Sequence, residues 1–182
     1  MKVVIGIIIV GVLWVLLVVK GLKKRKSPPQ TTTMKEIQDS DSIKDIIMSV
    51  NLGGIRPYKT GMGYEQAKGI ALKLIADPTT FENNMQLQEL MGITPYIHID
   101  IDNKYIERIS VNFNKDRVVS AIGIDIKDFH INMKPLVEEM TAKFGKPTSM
   151  DNEFIIWRSE WMVINIHKEG SLSVIDERLW AR

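Results

Sequence analysis

Hydrophobic positions follow three different rules in three parts of the chain. Residues 3–19 carry no charge, and Lys20, Lys23, Lys24, Arg25 and Lys26 follow at once. Between residues 33 and 92 apolar side chains recur at helical spacing. Beyond residue 96 they mostly alternate with polar ones, apart from one further helical stretch.

The uncharged run reads as a membrane anchor. Its 17 residues would make a helix about 26 Å long, near the lower limit for a hydrocarbon core of roughly 30 Å. Lys2 and Lys20 can close the gap by snorkelling to the two interfaces. A cleaved signal peptide fits less well: the n-region is only Met1 and Lys2, the apolar stretch is long, and no Ala-x-Ala follows it. One Lys precedes the run and five Lys/Arg follow it, so the positive-inside rule turns the rest of the chain toward the cytoplasm. These features predict a single-pass protein of the cell membrane that meets lipid through residues 3–19. Its soluble domain would be cytoplasmic, with the exterior or periplasmic side as the alternative. The basic flank can also attract anionic headgroups, at roughly 1 kcal/mol per charge. The proline-bearing polar stretch 27–33 is a short linker, which leaves residues 34–182 as the soluble domain.

Within that domain, Thr33-x-x-Glu36 has capping-box spacing, and Ile43, Ile46, Ile47 and Val50 supply an apolar helical face. Ala67, Ile70, Ala71, Leu74 and Ile75 predict a second helix over residues 64–76, ended by Asp77-Pro78. Thr79-x-x-Glu82 opens a third, shorter helix that closes at Gly92. Residues 53–63 between the first two helices read as a glycine-rich loop. From Tyr96 the period changes to 2: Ile97, Ile99 and Ile101 alternate with His98, Asp100 and Asp102. Ile109, Val111 and Phe113, then Ile122, Ile124 and Ile126, continue the pattern across turns too short for a parallel crossover. A fourth helix over residues 133–144 ends at Gly145 and Pro147. Three more strands follow, at residues 154–158, 161–168 and 172–176. The expected fold is α+β: an N-terminal single transmembrane helix, a short linker, and an antiparallel sheet of two three-strand meanders packed with about four helices.

Charge adds one exclusion. Residues 1–26 hold six Lys/Arg and no acid, so the remaining 18 Lys/Arg face all 22 Asp/Glu and the soluble part is near −4. A mildly acidic domain without a Lys/Arg stripe lacks the electrostatic footprint of a nucleic-acid binder. The absence of cysteine rules out disulfides, thiolate metal sites and cysteine nucleophiles.

Candidate chemistry is sparse. His98, Asp100 and Asp102 share one strand face and have the ligand types of a zinc or hard-cation site, yet ordinary alternation on a half-exposed strand gives the same pattern. His130 and His167 are isolated, and no Gly-x-Ser-x-Gly occurs. The stretch 53–63 contains Lys59-Thr60 but has Tyr58 where a phosphate loop needs glycine, and Pro57 removes an N–H. Its surface still offers Arg56, Tyr58 and Lys59 as partner contacts. Of the C-terminal tryptophans, Trp157 belongs in the core and Trp180 at an edge or against another molecule. The expected function is a non-enzymatic, membrane-tethered protein-binding module, an adaptor or assembly factor that needs no cofactor and has a protein partner. The alternative is an immunity or inhibitor protein neutralising a toxin at the membrane, and a metal-dependent enzyme using His98 ranks third.

Overall fold

A computed structural model describes residues 42–181. The chain divides into two units, Met1–Thr32 and Thr33–Arg182, and every described residue belongs to the second. The anchor expected at 3–19, its flank at 20–26 and the linker at 27–33 lie outside the described residues. Among the described residues, no helix is long and apolar enough to cross a membrane. The expected fold class is therefore corrected to an α+β domain with two sheets and five helices among the described residues.

The first helix, α1 (Ile43–Ser49), starts at Ser42, whose side chain accepts from Asp45 N–H. The expected cap at Thr33 lies outside the described residues. The supposed loop then forms a three-stranded hairpin unit, β1 (Val50–Asn51), β2 (Gly54–Ile55) and β3 (Tyr58–Lys59). Gly54 shows why that segment is glycine-rich: at φ 149° an added Cβ would lie 2.4 Å from Tyr58 O and 2.8 Å from Lys59 Cα. Helix α2 (Tyr64–Ala71) is shorter than its periodicity suggested. Helix α3 (Pro78–Leu90) begins earlier than expected, because Asp77 does not merely stop α2. Its carboxylate accepts from Thr79 and Thr80 N–H with Pro78 in the first turn, the arrangement of an N-cap.

The two expected meanders do not stay separate. They are β4 (Tyr96–Asp100), β5 (Ile106–Phe113) and β6 (Val119–Ile126), then β8 (Phe154–Ser159), β9 (Met162–His167) and β10 (Ser171–Asp176). Helix α4 (Phe129–Phe144) and the short β7 (Ser149–Met150) connect them, and α5 (Glu177–Trp180) ends the described chain. β10 pairs antiparallel with β6, giving one seven-stranded sheet in the order β4-β5-β6-β10-β9-β8-β7.

That junction continues two apolar rows across six strands. Ile97, Val111, Ile122, Val174, Ile164 and Trp157 face one another in register, as do Ile99, Ile109, Ile124, Leu172, Ile166 and Ile155. All twelve are buried. Each such side chain contributes about 1.5–3 kcal/mol of burial, so these rows dominate the core. The hairpin unit packs over Ile122 on this face, and α1, α2 and α4 add Ile46, Ala67, Leu136 and Met140 to the same core. Two polar side chains fix the cover: Trp157 Nε1 donates to Gly145 O at 2.8 Å, and Lys143 Nζ donates to Ile47 O, Met48 O and Val50 O. The opposite face carries His98, Ser110, Gly123, Ser173 and Asn165 in one cross-strand row, and none of these is buried.

Candidate functional site

The most unusual surface lies where α3 meets the edge strand β4. Eleven large hydrophobic side chains are exposed among the described residues, and five of them, Leu87, Leu90, Met91, Ile93 and Tyr96, fall between residues 87 and 96. Leu90 is 85 % and Met91 64 % exposed. Scattered apolar residues need no explanation, whereas a contiguous patch marks an interaction surface. Here the patch has depth. A groove of about 490 Å³ runs between α3 and β4, lined by Phe81, Met85, Leu87, Met91 and Ile93 on one side and by Tyr96 and His98 on the other.

Several contacts hold α3 in place beside the strand. Phe81 and Met85 reach the core, and Gln88 is buried with its Oε1 accepting from Tyr96 N–H at 3.0 Å. Arg117 Nη2 donates to Glu89 Oε1 at 2.6 Å while its guanidinium sits 4.0 Å from the Tyr64 ring centroid. Lys68 and Glu82 add a looser pair at 3.9 Å.

Tyr96 is also a wall of a second cleft, of about 350 Å³, whose far side is Trp180. Asn112 and Ser120 line it between the two aromatics, with Lys115 also at hand. Trp180 is 57 % exposed and is placed by α5. The N-cap of that helix is Asp176, a buried carboxylate that accepts from Arg178 N–H and from both Nε and Nη2 of its guanidinium. The Arg178 bonds hold the Asp176 carboxyl below the usual carboxylate range. Asn114 closes the β5–β6 turn by accepting from Asp116 and Val118 N–H, and its buried Nδ2 has no acceptor among the described residues. Two adjoining clefts with a shared tyrosine, a tryptophan and methionines offer the residue types that dominate binding energy at protein interfaces.

The expected catalytic and metal candidates do not assemble. His98 and Asp100 do share the open face, but Asp100 Oδ1 is engaged by Arg108 Nε at 3.0 Å, and Asp102 lies beyond the end of β4. Among the described residues no three His, Asp or Glu side chains come together as a metal site. Burial, then the Arg108 guanidinium, hold the His98 imidazole below its ordinary pKa, with Asp125 and Asp100 opposing. His167 stacks against Phe154 at 4.7 Å, and His130 is exposed on α4.

Of the residues the sequence offered for partner contact, Arg56 and Lys59 are exposed on the hairpin unit, and Trp180 walls the second cleft. Tyr58 is a correction: it is 0 % exposed, because alternation in β3 turns its ring into the core and leaves Lys59 outside. The basic flank Lys20, Lys23, Lys24, Arg25 and Lys26 lies outside the described residues. Tyr96 and the α3 terminus escaped the sequence reading. The available signal was the cluster Leu87, Leu90, Met91 and Ile93 around Gly92, an apolar excess where a helix terminus is normally polar.

Residues 56–182 match the family model of the TP0088 domain, and the chain belongs to that family. The matched span includes the whole seven-stranded sheet, α3 and both clefts. No curated protein matches the chain, and no solved structure matches it.

Proposed function

We propose that this TP0088-domain chain is a non-enzymatic protein-binding module, an adaptor or assembly factor, that engages its partner at the α3–β4 corner. The observation that carries the reading is the exposure of Leu87, Met91, Ile93 and Tyr96 along a formed groove, with the still more exposed Leu90 next to Met91 at the C-terminal end of α3. Burying such a patch is worth roughly 25 cal/mol per Å² of apolar area, and aromatic and methionine anchors concentrate that energy. An inhibitor that neutralises a toxin would use the same surface and would differ in the tightness of its complex. A membrane location belongs to the proposal through residues 3–26, whose composition supports it.

Site-specific photocrosslinking in the full chain tests the reading. A benzophenone amino acid replaces Met91, Trp180 or, as a control, the exposed Ile131 on α4. The expected result is one partner, the same by mass spectrometry at positions 91 and 180, and no adduct at 131. Absence of a common adduct at 91 and 180 overturns the proposal. Carbonate extraction of cell membranes tests the location, and release of the full chain into the soluble fraction rejects it.

A further inference from the structure

The exposed edge of β4 lies in the groove, and the groove carries unpaired backbone. Ile101 N–H donates to Glu107 O at 2.9 Å, which makes that pair hydrogen-bonded and, by alternation, assigns Ile97 and Ile99 to the β5 ladder. The N–H and C=O groups of Tyr96, His98 and Asp100 consequently point away from β5. Gln88 Oε1 accepts from the first of these N–H groups, doing with a side chain what a carbonyl of a neighbouring strand would do. The edge-facing N–H and C=O of His98 have no partner among the described residues. A row of edge donors and acceptors at two-residue spacing is a template for another extended chain.

We propose that this groove takes an extended segment of a partner protein, which adds as an eighth strand to the sheet against β4, between β4 and α3. The inference rests on the protein-binding reading and specifies the partner's chemistry. Backbone spacing selects a strand, since a helical ligand satisfies its own N–H and C=O groups and would leave those of His98 unpaired. The lining selects its side chains. Phe81, Met85, Leu87, Met91 and Ile93 are apolar, Asn84 and Gln88 are polar but uncharged, and His98, with its pKa below the ordinary value, adds no fixed charge. An incoming charged side chain would lose its hydration there without gaining a counter-ion. Charge complementarity therefore calls for an uncharged segment with apolar residues at alternate positions, one set entering the groove and the other facing solvent.

The test uses the full chain and a random dodecapeptide phage library. Selection should enrich uncharged sequences with apolar residues at i, i+2 and i+4. The most enriched peptide is then synthesised with its ends blocked, and again with N-methyl groups on alternate residues. Methylation on the edge-facing register should weaken binding at least about tenfold, and methylation on the other register should not. His98→Pro removes the outward N–H and spares the β4–β5 ladder, so it should cause a similar loss with little change in Tm. His98→Gln keeps that N–H and should lose far less binding than His98→Pro, which separates the backbone contribution from that of the side chain. Met91→Lys places a charge at the groove and should also abolish binding, a readout that stands if His98→Pro fails to fold. No enrichment, enrichment of sequences with helical spacing, or equal binding by both N-methylated peptides overturns the proposal. So does a homodimer of the full chain that His98→Pro converts to monomer, since a second copy would then occupy the edge. A partner crosslinked at position 91 whose binding ignores His98→Pro leaves the protein-binding reading standing and removes strand addition alone.

Discussion

Tyr58→Phe should make this protein more stable, against the usual direction of single substitutions. The Tyr58 ring is fully buried in β3, and its hydroxyl has no hydrogen-bond partner among the described residues. Burial pushes its pKa up, the mark of a hydroxyl taken out of water without compensation. Such a group costs about 1–3 kcal/mol. Phenylalanine keeps the ring in place and removes only the oxygen, forfeiting a few dispersion contacts of about 0.1–0.2 kcal/mol each. The balance is a gain of about 1 kcal/mol, or roughly 3 °C in Tm for a domain of this size. Urea unfolding of the full chain, followed by tryptophan fluorescence, should show a higher midpoint at an unchanged slope. The gain should widen above pH about 10, where an unfolded tyrosine ionises while the buried one holds its proton and the wild type loses stability. A midpoint lowered by the equivalent of about 0.5 kcal/mol or more would refute the reasoning, because the hydroxyl would then have an acceptor.

Neighbouring Gly54→Ala should act in the opposite direction, by about 3 kcal/mol, because its Cβ meets the backbone of Tyr58 and Lys59 rather than a side chain that can turn away; thermal unfolding checks it. Lys143→Met keeps the aliphatic stem and removes the cation from three carbonyls at the end of α1, so denaturant unfolding should show a loss of about 1 kcal/mol. Asp176→Ala removes the N-cap of α5 and the Arg178 pair, and should cost about 1–2 kcal/mol and release Trp180, visible as altered fluorescence. Because the Asp176 pKa is depressed, its contribution is present above the ordinary carboxylate range and fades as pH falls through the folded-state value. For His98 the depressed value acts in the same direction, at higher pH. Below pH about 6.5 the unfolded imidazole protonates first, so acid lowers stability, and His98→Gln should flatten the stability profile between about pH 7 and 5. An NMR titration of His98 midway above 6.5 would contradict it.

The β strands were legible because Ile97, Ile99, Ile109, Val111, Ile122 and Ile124 alternate with polar or small residues, and alternation reports one buried face directly. The hairpin unit was not legible. Its strands are two residues long, too short for any period, and only the cross-strand contact at Gly54 reveals them. The start of α3 is ambiguous in sequence because Asp77-Pro78 can end one helix or begin the next, and the choice depends on which N–H groups the carboxylate meets. A glycine-rich loop predicts an exposed Tyr58, and the pairing of β3 with β2 buries it instead. Helix α5 and its buried Asp176 left no sequence signal beyond Asp-Glu-Arg.

The sequence by itself determined the α+β class of residues 42–181, most strand positions, the placement of Trp157 in the core and the lack of thiol chemistry. These are properties of single residues or of local period, which chemistry writes into the chain one segment at a time. Only the tertiary structure decided that β6 meets β10. That pairing joins residues about fifty apart, and nothing local distinguishes β10 from β8 or β9 as the neighbour. It also decided that β4 becomes the edge, that α3 stands beside it, and that Tyr96 lines two clefts, one of which Trp180 also lines. A binding surface of this kind depends on which elements are left unpaired once the others have found partners, and that remainder is a property of the whole fold.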